Sequence, residues 1–129
     1  MTRTTRTIQV LILAAAILGV GLLWEIYPLL PSMVFDSIFV GWALFVVDGA
    51  LTFARPRISY YLGLVLSVLG LSASLPQSAH WAFIENGQLI QSAIFLAGST
   101  VEVLIIVLVV YVLVQSRQVV NRRGLVQSK

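Results

Sequence analysis

The sequence predicts an all-α integral membrane protein, a bundle of four transmembrane helices with both termini in the cytoplasm. Of its 129 residues, 59% are apolar. Only 10% are charged, against about 25% in a typical soluble domain. The mean hydropathy is +0.98, and the apolar residues are concentrated in four runs. We therefore expect one membrane domain that covers residues 1–129, in contact with the lipid bilayer.

Each apolar run is long enough to cross a membrane. A helix rises about 1.5 Å per residue, so roughly 20 residues cross the ~30 Å hydrocarbon core. Prolines separate the first three runs, because proline disfavours helix at the residue before it. The first run also resembles a signal peptide, but it continues past Gly21 to Tyr27, so we expect it to be retained. The predicted spans are 8–27, 33–54, 58–75 and 89–114.

Two polar segments complete the chain. Residues 76–88 form an outer loop, in which Ser78 is expected to cap a short interfacial helix that ends at Asn86 and Gly87. Residues 115–129 form a basic cytoplasmic tail, part of which continues the fourth helix.

The basic residues set the predicted orientation. With four spans, all eight lie on the side of the termini, and the opposite side carries Glu25, Asp36 and Glu85. Positive charge is retained in the cytoplasm, so we expect a multi-pass protein with both termini inside. The eight are Arg3, Arg6, Arg55, Arg57, Arg117, Arg122, Arg123 and Lys129.

Small residues form the predicted packing faces. Within a membrane, close backbone approach and polar contacts hold helices together. The third span places Gly63, Ser67, Gly70 and Ser74 on one face. Further predicted faces are Ala15 with Gly19; Gly41 with Asp48 and Thr52; and Gln91 with Phe95, Gly98, Ser99 and Glu102.

Glu102 and Asp48 are the two acids deep inside predicted spans, whereas Glu25 and Asp36 lie close to span ends. An acid at mid-bilayer costs about 2.5–3.5 kcal/mol, and hydrocarbon favours its neutral form. Both are therefore candidates for a proton or cation site. The structural interpretation is that Glu102 donates a hydrogen bond to a neighbouring helix, with Ser67 as a partner, and that Thr52 or water holds Asp48. The sequence gives two estimates of how far apart the two acids lie in depth. Counted from the basic residues at the cytoplasmic ends of their spans, the depths differ by roughly 12 Å; counted from the outer ends of the same spans, they differ by about 3 Å.

Other chemistry has little support in the sequence. The absence of cysteine excludes disulfides and thiolate metal sites. His80 is a weak metal candidate beside Glu85 and Asp36, because a single histidine lacks a partner at ligand spacing. No phosphate loop or nucleophile motif is present, so we expect no enzymatic activity, no cofactor and no nucleic-acid partner.

Two functional hypotheses remain. The first is a non-catalytic protein that associates with other transmembrane helices, as an accessory or structural subunit of a larger membrane complex or as a homo-oligomer. The alternative is a small proton- or cation-coupled transporter or channel that uses Glu102, with Asp48 as a second candidate. A water-reachable cavity at Glu102 favours the alternative, and a fully enclosed Glu102 favours the first.

Overall fold

The computed structural model describes residues 2–27 and 31–127. These residues are mainly helical and contain no β-strand. Four of the helices are long and apolar enough to cross a membrane, one over each predicted span, and the all-α class is confirmed. The helices are α1 (Arg3–Ile26), α2 (Ser32–Ala54), α3 (Pro56–Ser74), α4 (Ser78–Glu85) and α5 (Leu89–Gln127).

The four long helices form an antiparallel bundle. Each of α1 and α3 packs against both α2 and α5, so α1 and α3 lie diagonally across the bundle. We call one end the basic end; it holds the start of α1, the turn between α2 and α3, and the last part of α5. The opposite end, which holds α4, is called the α4 end.

Local sequence explains where α1 and α3 begin. The side chain of Thr2 accepts a hydrogen bond from the Thr5 amide at 3.2 Å, so α1 begins at Arg3, before the predicted span. Pro56 occupies the first turn of α3, where its missing N–H is not needed. Only Arg55 separates α2 from α3, and the chain reverses there.

The predicted polar loop contains α4, whose start differs from the expectation. The capping residue is Gln77, with no side-chain hydrogen bond, and Ser78 is already helical, so the predicted Ser78 cap is wrong. The end is as expected: Asn86 caps the helix, and Gly87 has φ +69°, a conformation that glycine adopts without strain. Trp81 Nε1 donates to the Leu75 carbonyl at 2.8 Å, which fastens α4 to the end of α3.

The hydrophobic core lies toward the basic end, while much of the bundle exterior is apolar. Side chains of α1, α3 and α5 form the core: Ile8, Ile12, Tyr60, Ile105 and Val109. Large apolar side chains such as Ile17, Val65 and Val107 are exposed on the outside. An apolar exterior of this extent is typical of a surface that meets lipid or other helices.

Candidate functional site

The small-residue face of α3 receives both acids that the sequence singled out. A methyl group at Gly63 would lie 2.8 Å from Oδ2 of Asp48 on α2. A methyl group at Gly70 would overlap the carboxyl group of Glu102 on α5, with 3.0 Å to its Cδ. The missing side chains at these two glycines therefore leave the space that the two carboxyl groups fill. Ser67, between the glycines on the same face, is fully buried.

The two carboxyl groups lie at different levels of the bundle. Gly63 and Gly70 are seven residues apart, which corresponds to about 10 Å along α3. This separation agrees with the depth difference of roughly 12 Å between the two acids that is counted from the basic residues at the cytoplasmic ends of their spans. It does not agree with the difference of about 3 Å that is counted from the outer ends of the spans. Asp48 lies nearer the basic end, and Glu102 lies nearer the α4 end.

Asp48 is fully buried, with apolar and polar side chains around it. A methyl group at Gly63, beside its carboxyl group, would also lie 3.4 Å from Cδ1 of Ile12 and 3.7 Å from Cγ2 of Ile105. Neither carboxyl oxygen of Asp48 has a hydrogen-bond partner within the part of the chain that the structure describes. An unpartnered buried carboxyl group is uncommon, because most buried polar groups are hydrogen-bonded.

The polar neighbours of Asp48 use their hydrogen bonds elsewhere. Thr52 Oγ1 donates to the Gly49 carbonyl at 2.7 Å, so the expectation that Thr52 holds the Asp48 side chain is wrong. Ser59 Oγ donates to the backbone carbonyl of Asp48, at 3.4 Å. Gln9 Nε2 donates to the Thr52 carbonyl at 3.1 Å and thereby joins α1 to α2. All of these polar side chains are buried. Ser59 lies close enough to the Asp48 carboxyl group to interact with it, but no described side chain has the geometry of a hydrogen bond to either carboxyl oxygen.

Glu102 is partly buried, between α5 and Gly70 of α3. Its carboxyl group forms no hydrogen bond or ion pair with any residue in 2–27 or 31–127. The expected partner, Ser67, has a buried hydroxyl group that is itself without a hydrogen-bond partner among these residues. The predicted hydrogen bond between Glu102 and Ser67 is therefore wrong. Glu102 is neither fully enclosed nor hydrogen-bonded to a neighbouring helix.

Further polar groups lie between Glu102 and the α4 end. Gln91 Nε2 of α5 donates to Glu25 Oε2 of α1 at 3.0 Å. The hydroxyl groups of Ser74 and Ser92 are buried and have no partner in the described segments. Ser67, Asp48 and the buried polar side chains near Asp48 lie farther toward the basic end. The bundle interior is therefore polar at several levels along its length.

Two of the predicted packing faces need comment. Gly41 has open space where a Cβ would lie, whereas Asp48 and Thr52 are buried, so Gly41 does not share their packed face. Gly19 contacts the indole ring of Trp42, whose Nε1 donates to the Ala16 carbonyl at 2.7 Å. Sequence analysis missed this pairing of α1 with α2, although an indole N–H inside a span needs an acceptor.

His80 lies away from both carboxyl groups of the interior. Its ring stacks on Phe95 with centroids 5.0 Å apart, and Nδ1 lies 2.8 Å from the Ser74 carbonyl. Among the described residues, no group of three or more His, Cys, Asp or Glu side chains is placed to hold a metal ion.

The interior groups have the chemistry needed to hold and exchange a proton. A neutral carboxyl group donates and accepts hydrogen bonds, and its anion only accepts. A serine hydroxyl between two such groups can do both. Neither a protein-family model, nor a curated protein, nor a solved structure matches the chain.

Proposed function

We propose that the chain crosses the bilayer four times, with its basic end in the cytoplasm, and exchanges protons through Asp48 and Glu102. One observation carries the proposal. Both carboxyl groups meet the same small-residue face of α3, and neither has a hydrogen-bond partner among the described residues.

The placement in the membrane rests on length and charge. Four helices have the length and apolarity to span. With an antiparallel bundle, all seven arginines belong to the basic end, which favours retention of that end in the cytoplasm.

The proton assignment rests on the missing hydrogen bonds. A carboxyl group that only stabilises a bundle is expected to bond to a neighbouring helix, because an unpaired polar group in hydrocarbon is costly. An ionised and unpaired Asp48 beside Ile12 and Ile105 would cost more still. Acids in this position commonly mark proton or ion pathways.

A proton fits the site better than a metal ion. Metal cations such as Ca²⁺ take six to eight oxygen ligands. Asp48 and Glu102 lie about 10 Å apart along α3 and do not share a ligand set. Transfer across that distance requires an intermediate, and the unpartnered Ser67 hydroxyl with water can supply one.

Proton flux in vesicles tests the proposal. Purified protein is reconstituted, a potassium diffusion potential is applied, and the internal pH is followed with a trapped dye. We expect flux in the wild type and its loss in Asp48→Asn and in Glu102→Gln, because an amide cannot exchange a proton in this way.

The controls make the same changes at exposed acids. Asp36→Asn on α2 and Glu85→Gln on α4 should keep the flux, because both side chains are exposed. Absence of wild-type flux, or unchanged flux in well-folded Asp48→Asn and Glu102→Gln proteins, would contradict the proposal.

A second candidate function is lateral association, as an accessory subunit or a homo-oligomer. The observation that favours it is the open space at Gly41 and Gly98, where no atom lies within 4 Å of a built Cβ. Open glycines on spans allow another helix to approach closely. Gly41→Leu and Gly98→Leu should then reduce the particle mass in mild detergent, and Gly124→Leu, at another open glycine on the tail, should not. A single-chain mass for the wild type, with no partner co-purifying, would contradict this candidate.

A further inference from the structure

A cleft lies between α3 and α5 at the basic end. Its volume is about 390 Å³. Two arginines, two tyrosines and several apolar side chains line it, and the residues that matter here are Arg57, Tyr60, Tyr61, Val112, Leu113 and Arg117. Sequence analysis assigned these arginines only to membrane orientation and did not bring them together.

The charge of the cleft is uncompensated. No acidic residue lines it. Arg57 and Arg117 therefore have no acidic side chain beside them among the described residues that line the cleft. Two guanidinium groups on one cleft suit a phosphate group, because the planar guanidinium fork binds two oxygens of one anion at once.

The cleft is amphipathic along the bundle axis. Val112 and Leu113 belong to the last turn of the predicted fourth span, 89–114, whereas Arg117 follows just beyond its end. Arg57 stands before the predicted start of the third span, at 58. One part of the lining therefore lies at the level of the hydrocarbon and the other part at the level of the headgroups.

We propose that this cleft binds an anionic phospholipid of the leaflet at the basic end. Arg57 and Arg117 hold the phosphate, the tyrosines flank it, and an acyl chain lies along Val112 and Leu113. Basic pockets between spans on the cytoplasmic side are suited to such headgroups. A soluble phosphate would use the arginines but leave the apolar lining without a role. The inference rests on the proposed membrane placement and not on proton exchange.

Lipid binding to the purified full-length chain tests the inference. The protein in mild non-ionic detergent is titrated with phosphatidylglycerol, and bound lipid is counted by native mass spectrometry. Arg57→Gln/Arg117→Gln should weaken binding by roughly 30-fold, the effect expected for two cationic contacts at about 1 kcal/mol each. Arg122→Gln/Arg123→Gln removes the same charge from an exposed part of α5 outside the cleft and should leave binding nearly unchanged.

Three results would overturn the inference. They are an equal loss in the two double variants, equal binding of zwitterionic phosphatidylcholine, and displacement of the lipid by an equal concentration of inorganic phosphate. If the cleft double variant fails to fold, Arg117→Gln alone serves instead, because Arg117 is exposed. It should weaken phosphatidylglycerol binding by about fivefold, and unchanged binding would refute the assignment. Lipid counts do not depend on proton flux, so the two proposals fail separately.

Discussion

At the scale of single residues, two glycines decide where the carboxyl groups lie. Gly63 and Gly70 stand where a side chain would collide with Asp48 and Glu102. Sequence analysis identified the small face of α3 and both acids, because spacing along one helix is visible in the sequence. It did not show that the acids approach this face, because the rotation and axial shift of neighbouring helices depend on packing across the whole bundle.

A methyl group at Gly70 tests this contact. Gly70→Ala should displace the Glu102 carboxyl group and destabilise the bundle by about 1–3 kcal/mol, the usual cost of overpacking. The matched control is Leu69→Ala, because Leu69 is the neighbouring residue on α3 and its side chain is exposed. Both are compared with the wild type by thermal unfolding in detergent, and equal midpoints for Gly70→Ala and the wild type would disprove the close contact.

The indole of Trp42 provides a second test at this scale. Trp42→Phe removes the hydrogen bond to the Ala16 carbonyl between α2 and α1. We expect a loss of about 0.6–2 kcal/mol, as for other hydrogen bonds between membrane helices. Trp24→Phe is the control, because Trp24 is 82% exposed. Reversible unfolding measurements should separate the two variants; equal stabilities would show that the bond contributes nothing.

At the scale of elements, the helices could be predicted largely from apolar length and breakers. Proline at 56 and glycine at 87 mark the end of α2 and of α4 by their backbone chemistry alone. The cap of α4 could not be predicted, because Gln77 and Ser78 are equally placed in the sequence to begin it. The length of α5, 39 residues or about 58 Å, exceeds the ~30 Å hydrocarbon core. The predicted span 89–114 is already about 39 Å long, and residues 115–127 of the basic tail continue the helix.

Labelling of single cysteines tests the predicted orientation of these elements. The chain has no cysteine, so Ser78→Cys in α4 and Gln118→Cys in α5 each introduce one reactive site. An impermeant thiol reagent added to intact cells should label Ser78→Cys only, because positive charge keeps the basic end inside. Labelling of Gln118→Cys but not Ser78→Cys would reverse the topology.

At the scale of the whole molecule, the bundle combines an apolar exterior with polar groups in its interior. The exterior could be predicted from composition, since nearly every span position is apolar. The interior could not, because Thr52 and Ser67, the side chains expected to bond to Asp48 and Glu102, form no such bond in the described part of the chain. Carboxyl groups without a hydrogen-bond partner among the described residues are the basis on which we propose proton exchange rather than a structural role.

The central claim is that Asp48 and Glu102 bind exchangeable protons. Infrared difference spectroscopy during a pH titration measures this directly, because a protonated carboxyl group has a carbonyl stretching band that its anion lacks. Among the titrating carboxyl bands of the reconstituted wild type, we predict that one is missing in Asp48→Asn and another is missing in Glu102→Gln, with both of these retained in Asp36→Asn. Bands that stay unchanged across the titration, or that persist in both amide variants, would contradict the account.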